Sequence, residues 1–156
     1  MLVNISKKIK SDHHIQRKEE GFIAYFNNHN ETNVINLNIK NTDYLSVEEH
    51  ISFILVKHPD IKIIFVTNSR VSKVAQYIEL VNREDILLIG YDFIKENIEY
   101  LEKGIIDFLI CEKPQEQAYR GIMTLYQHLT FAVDIQKNYF MPIDIITKEN
   151  YQFYRN

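Results

Sequence analysis

The chain has 156 residues, of which 46% are hydrophobic, and a formal net charge of −3 at pH 7, so its composition suits the core of one ordinary domain. Charged residues of both signs are mixed along the sequence without a basic cluster, which argues against a nucleic-acid-binding surface in this segment. The single cysteine, Cys111, excludes an internal disulfide, and no apolar run approaches the roughly 20 residues of a transmembrane helix.

The first third of the chain predicts two strands separated by a helix. Short apolar segments at residues 2–5 and 34–39 predict the strands, and the helix should cover residues 12–28 and end in the polar segment 27–30. Its apolar side chains share one helical face. These are Ile15, Phe22, Ile23 and Phe26.

A second helix should follow, opened by a capping box. Ser46 with Glu49 three residues later is typical of such a box, and Pro59 should end the helix. The buried stripe of this helix is predicted from Val47, Ile51, Ile54 and Leu55. The β-branched and aromatic run at residues 61–66 then predicts a strand.

The turn at residues 67–69 should lead into a third helix. The apolar residues of that helix recur at helical spacing, and they are Val71, Val74, Ala75, Ile78 and Val81. Two apolar runs at residues 86–90 and 105–110 flank one amphipathic helix, which is typical of a βαβ unit with buried, parallel strands.

A long helix over residues 115–133 is predicted to be apolar around most of its circumference, and residues 143–146 predict a last strand. The whole succession predicts an α/β fold with a doubly wound, mainly parallel sheet and helices on both faces, of Rossmann or flavodoxin type. In such sheets ligands bind outside the carboxyl ends of the strands.

Sequence motifs for catalysis and for cofactors are absent. No glycine-rich dinucleotide fingerprint, P-loop or serine nucleophile elbow is present, and the histidines lack metal-binding spacing. We therefore expect no enzymatic activity, no cofactor and no metal.

Polar side chains follow three of the predicted strands. Asn68, Asp92 and Glu112 stand at those strand ends, and Arg17 and Lys18 lie in the first turns of the first helix. Two roles fit Asn68, as a helix N-cap or as a ligand group, and Asp92 could equally cap its own helix. Carboxylates and amides bind vicinal hydroxyls, and basic side chains donate to hydroxyl and ring oxygens. The set predicts a site for a polyol.

The chain resembles the C-terminal part of the effector-binding region of LacI-type transcriptional regulators, which share their fold with periplasmic sugar-binding proteins. The similarity covers nearly the whole chain and rests on five short motifs in the same order. They are QRKEEGF at residues 16–22, FVTNS at 65–69, LIGYD at 88–92, CEKP through Tyr119 at 111–119 and PIDIIT at 142–147.

The resemblance implies that Asn68, Asp92, Glu112 and a basic residue of the first motif bind a sugar. Its register fits Lys18, with Arg17 beside it, so both remain candidates. Two positions depart from the family pattern: Glu112 stands where an amide is usual, and Ala118 where a glycine is usual.

The resemblance also implies missing parts. Residues 1–156 would be a single effector-binding subdomain and a fragment of a longer protein. The first subdomain and the helix-turn-helix would be absent, and DNA would be bound only through that helix-turn-helix. The helix at 115–133 would pack on the absent subdomain. We expect a cytoplasmic homodimer with no membrane contact.

The leading hypothesis is therefore the sugar-sensing half of a LacI-type regulator. The alternative is a periplasmic sugar-binding protein or the sensor module of a receptor, and an α/β enzyme without a recognisable motif is a third class, because fold alone does not fix function.

Overall fold

A computed structural model describes residues 1–27 and 34–155, in which one six-stranded sheet organises the chain. The strands are β1 (Leu2–Ile5), β2 (Asn36–Ile39), β3 (Ile63–Val66), β4 (Leu87–Tyr91), β5 (Phe108–Cys111) and β6 (Asp144–Ile146). Their order is β2-β1-β3-β4-β5-β6. Strands β1 to β5 are parallel, and β6 pairs with β5 in the antiparallel direction. The predicted doubly wound, mainly parallel sheet is confirmed.

Five α-helices connect the strands. They are α1 (His13–Asn27), α2 (Tyr44–Lys57), α3 (Val71–Leu80), α4 (Lys95–Glu102) and α5 (Pro114–Phe131). Two short 3-10 helices, Ile9–Ser11 and Tyr151–Phe153, complete the described secondary structure. The predicted end of the first helix at residues 28–30 lies outside the described residues.

The two faces of the sheet are covered to different extents. On one face α3 packs directly on β4, where Val71 meets Gly90, and the strand side chains of this face, such as Ile64 and Leu88, are fully buried. The opposite face is covered by α1, whose Phe22 ring lies 5.1 Å from that of Phe65. On this face most side chains of β3, β4 and β5 are half-buried or exposed, whereas Tyr91 of β4 and Leu2 and Asn4 of β1 are buried.

The predicted capping box of the second helix is wrong. The helix begins at Tyr44, and its N-cap is Asp43, whose Oδ1 accepts a hydrogen bond of 2.9 Å from the Ser46 N–H. Ser46 therefore lies in the first turn of the helix, and Asp43 takes the capping role that was expected of Ser46 by accepting from the N–H three residues after it.

The strand predicted at residues 105–110 begins later, at Phe108. The N–H groups of Ile105 and Ile106 bond to the Tyr100 carbonyl and so belong to the end of α4. Gly104 makes this turn possible with a φ of +76°, in the left-handed region where glycine carries little steric cost.

Helix α5 projects its apolar side chains outward. None of its residues is buried, and six of its large apolar side chains are more than half exposed. They are Tyr119, Ile122, Leu125, Tyr126, Leu129 and Phe131. Within residues 1–27 and 34–155, no helix combines the length and the apolar character needed to cross a bilayer.

Candidate functional site

The carboxyl edge of the sheet gathers most of the predicted ligand-binding residues. Asp92 directly follows β4, and Glu112 directly follows β5, which is the neighbouring strand. Helix α1 begins at the same edge because it follows β1, so its second turn brings Lys18 over these strand ends. The topology therefore places one ammonium and two carboxylates together.

Lys18 joins α1 to the ends of β4 and β5. Its Nζ lies 3.0 Å from Glu112 Oε1 and 3.4 Å from the centroid of the Tyr91 ring. The Lys18 side chain is 18% exposed and that of Glu112 is 37% exposed, so water screens this ion pair only in part. Burial, together with the negative charges of Glu112 and Asp92, raises the pKa of Tyr91 to about 12. Tyr91 is therefore uncharged at neutral pH, and the Lys18 ammonium lies over the face of its ring in a cation–π interaction.

Asp92 presents a carboxylate whose oxygens make no hydrogen bond or ion pair with any described residue. Its backbone is left-handed, with φ of 73°, and its N–H donates to the Ile110 carbonyl at 3.1 Å. The side chain is half-buried, and this burial raises its pKa, with the Glu112 charge adding to the rise and Lys18 opposing it. Helix α4 begins only after Ile94, so Asp92 does not cap it. Its oxygens can accept hydrogen bonds from a ligand.

Asn97 fixes the loop that carries Asp92. This fully buried amide donates to the Tyr91 carbonyl at 2.9 Å and the Asp92 carbonyl at 3.0 Å, and its Oδ1 accepts from the Ser72 N–H at 3.2 Å. Asn97 was not among the residues predicted from the sequence. The available signal was its spacing, because Asn97 lies four residues before the buried Leu101 on the inner face of α4.

Asn68 uses its side chain within the fold. Its Nδ2 donates to the Ile5 carbonyl at 2.8 Å, and its Oδ1 accepts from the Arg70 N–H at 3.1 Å. The N-cap position of α3 is Arg70, which excludes the alternative role of Asn68 as that N-cap. The asparagine instead ties the turn after β3 to the end of β1. Arg17 is exposed, and in the described residues nothing joins it to the Lys18–Glu112 pair.

A second polar network lies between β1, β2 and α1 and was also missed. Asn4 is fully buried within an otherwise apolar strand, accepts from Thr67 Oγ1 at 2.8 Å and donates to Asn38 Oδ1 at 2.9 Å. It also donates to Glu19 Oε2 at 3.0 Å, and the other oxygen of that carboxylate accepts from Asn36. Each buried polar group is paired, which is typical of a structural network.

The Lys18–Asp92–Glu112 cluster lies on an open edge. A cavity of about 710 Å³ exists between α1 and β2, lined by residues such as Gln16, Glu19 and Asn38, but it does not include the cluster. The residues that the structure describes contain no grouping of His, Cys, Asp and Glu side chains suited to a metal ion. The cluster thus presents hydrogen-bonding groups that are only partly buried.

Comparison with known proteins assigns the family. The profile of the periplasmic binding protein domain matches residues 2–132. The chain belongs to the periplasmic binding protein domain family. No curated protein matches the chain.

Solved structures that share this periplasmic-binding-protein fold include regulators and transport proteins. A Bacteroides fragilis protein proposed to be a LacI transcriptional regulator is 29% identical, with a TM-score of 0.87 over 99% of this chain and 55% of that one. GanP, a glucose-galactose binding protein from Geobacillus stearothermophilus, is 22% identical, with a TM-score of 0.81 over 96% and 54%. An ABC transporter periplasmic solute binding protein from Actinobacillus succinogenes 130z with bound D-allose is 20% identical, with a TM-score of 0.82 over 98% and 55%.

The chain spans about half the length of these solved structures. Structures with identities of 22% and 20% establish its fold and nothing further.

Proposed function

We propose that the chain is the ligand-sensing half of a LacI-type transcriptional regulator, and that it binds a sugar or a related small polyol in a cleft between two subdomains. The observation that carries the proposal is the half-buried Asp92 carboxylate, which makes no hydrogen bond or ion pair with the described residues, beside the Lys18–Glu112 ion pair. The 29% identity to the proposed LacI regulator, over nearly the full chain, favours a regulator.

The proposed roles follow from the chemistry of each group. Asp92 accepts hydrogen bonds from two neighbouring hydroxyls, and Lys18 donates to a hydroxyl or ring oxygen. A second wall, contributed by a first subdomain, encloses the other side of the ligand, since good small-molecule sites bury about 70–90% of the ligand surface. Closure of the two subdomains about a hinge then alters DNA binding by a separate helix-turn-helix in the cytoplasm.

The second candidate is a periplasmic sugar-binding protein or the sensor module of a receptor. It is supported by the fold shared with proteins described as binding glucose and galactose or as holding D-allose. The reading frame upstream of Met1 distinguishes the candidates, because a regulator requires a helix-turn-helix there and a secreted binding protein requires a signal peptide.

Calorimetry with a panel of monosaccharides tests the sugar-binding proposal in the longer protein that contains this chain. Asp92→Ala should weaken the preferred sugar by about tenfold to a hundredfold, because each hydrogen bond to a charged group is worth roughly 1.5–3 kcal/mol. The control is Asp60→Ala, which removes an exposed carboxylate near the opposite edge of the sheet and should leave the dissociation constant unchanged. Equal affinity of the parent and Asp92→Ala proteins would exclude Asp92 from the site.

A screen for enzymatic turnover, combined with mass measurement of co-purified ligand, tests the third class. A bound sugar recovered unchanged supports a sensor. A converted product would refute the proposal, because a sensor releases its ligand chemically unchanged.

A further inference from the structure

The charges of the Lys18–Asp92–Glu112 cluster are unequal, because one ammonium faces two carboxylates and the net charge of these three side chains is −1. Lys18 is already engaged, at 3.0 Å from Glu112 and over the Tyr91 ring. The Asp92 carboxylate makes no hydrogen bond or ion pair with any described residue, although it is half-buried. The excess negative charge therefore lies on the group that faces a ligand.

The other cations at this edge do not neutralise Asp92 by contact. Lys113 is paired with Asp144 at 3.2 Å, and the Arg70 guanidinium donates to a backbone carbonyl of β1 at 3.2 Å. The remaining basic side chains near the strand ends are exposed, so that water and mobile ions screen their charges. They include Lys7, Lys8, Arg17 and Lys40.

Building on the sugar-binding function proposed above, we propose that this edge selects sugars that carry a protonated amine over the corresponding neutral sugars and sugar acids. A sugar ammonium would donate a charge-assisted hydrogen bond to Asp92, which is stronger than one from a neutral hydroxyl. A carboxylate or phosphate on the ligand would instead add a third negative charge to the cluster and be repelled.

Glu112 determines the selectivity in this arrangement. Its carboxylate holds the Lys18 ammonium at 3.0 Å, so that Lys18 makes no direct ion pair with Asp92 and acts on it only through its charge. Glu112→Gln would remove one negative charge and release Lys18, whose flexible stem then allows its ammonium to approach Asp92. The net charge of the cluster would become zero, and the preference for an amine should disappear.

NMR titration of the isotope-labelled 156-residue chain tests the inference, because it measures weak binding and maps it to backbone signals of individual residues. The matched probes are glucose, glucosamine and glucuronate, and galactose, galactosamine and galacturonate, in weakly acidic buffer that keeps the amines protonated. The proteins are the parent chain, Glu112→Gln, Asp92→Asn and the control Glu49→Gln, which alters an exposed carboxylate on α2.

We expect at least one amino sugar to bind the parent chain roughly tenfold more tightly than its neutral counterpart, as a charged hydrogen bond in place of a neutral one implies. Signals around Asp92 and Glu112 should shift. The preference should persist in Glu49→Gln and fall to less than about threefold in Glu112→Gln and Asp92→Asn.

Three results would overturn the inference in distinguishable ways. Neutral sugars that shift the Asp92 signals at least as strongly as amino sugars would refute the selectivity and leave the sugar-binding function intact. If no sugar of any charge shifts those signals, the inference fails, and the calorimetry with Asp92→Ala in the two-subdomain protein decides the proposed function separately. An amine preference that survives both Glu112→Gln and Asp92→Asn would assign the binding to another surface and also refutes the inference.

Discussion

Gly90 provides a direct test of the packing that positions the candidate site. It lies in β4 next to Tyr91, with α3 directly against it. A Cβ added at Gly90 would lie 2.4 Å from both Cβ and Cγ1 of Val71, and 2.6 Å from Cγ2. Rotation of the valine side chain cannot relieve the contact with its Cβ, because that atom is fixed to the backbone. Helix α3 or strand β4 would have to move.

The expected cost of Gly90→Ala follows from this overlap. Overpacking a buried site costs about 1–3 kcal/mol, so the free energy of unfolding should fall by that amount. Urea denaturation followed by circular dichroism measures the change, provided that the dependence on denaturant concentration stays the same. A domain of this size should also melt several degrees lower.

Gly21→Ala is the matched control. Gly21 lies inside α1, and no atom lies within 4 Å of the Cβ that would be added there. Alanine favours a helix over glycine by roughly 0.5–1 kcal/mol, so this variant should be more stable than the parent chain. If Gly90→Ala changes the free energy of unfolding by less than about 0.5 kcal/mol, α3 does not pack on β4 as described here.

Three further predictions concern the site and the surface. Asn97→Ala should lower the free energy of unfolding by about 1–3 kcal/mol in urea denaturation, because it leaves two carbonyls and one N–H without their hydrogen-bond partner. An unchanged urea midpoint would contradict the role of Asn97 in fixing the loop. Asp92→Asn should stabilise the chain at neutral pH, since burial raises the pKa of the Asp92 carboxyl and so disfavours its charged form. As the pH falls through the folded-state pKa, the parent carboxyl becomes protonated, and the stability difference between the variant and the parent should shrink. A stability difference that grows on acidification in urea denaturation would contradict a raised pKa. The chain should form a homodimer at micromolar concentration, because each exposed apolar side chain of α5 gains roughly 1.5–3 kcal/mol on burial. Sedimentation should find a dimer for the parent chain and a monomer for the Ile122→Glu, Leu129→Glu double variant. A monomeric parent chain would contradict the prediction.

Much of the fold could be predicted because each element carries its own local signal. The run at residues 61–66 is β-branched and apolar, and it contains β3 at Ile63–Val66. The apolar spacing that begins at Val71 produces the buried face of α3. These signals arise from periodicity and side-chain shape, which neighbouring residues determine together. The positions of Asp92 and Glu112 after adjacent strands followed from the same reasoning.

The partners of those residues could not be predicted in the same way. Sequence spacing left Arg17 and Lys18 equivalent, and only the packing of α1 on the sheet turned Lys18 toward Glu112. Asn68 was a candidate ligand group, yet its amide is hydrogen-bonded across to β1. Such contacts join residues that are distant in the chain, so they depend on strand order and helix position.

The sequence by itself therefore determined the order of helices and strands, the core faces of most helices and the polar character of the strand ends. All of these follow from the periodicity and residue types of short segments. Tertiary structure alone decided which charged groups meet, that Asn97 fixes the loop of Asp92, and that the apolar surface of α5 remains uncovered. The physical reason is that ion pairing and burial depend on distances between separate elements. Those distances exist only after the sheet has assembled.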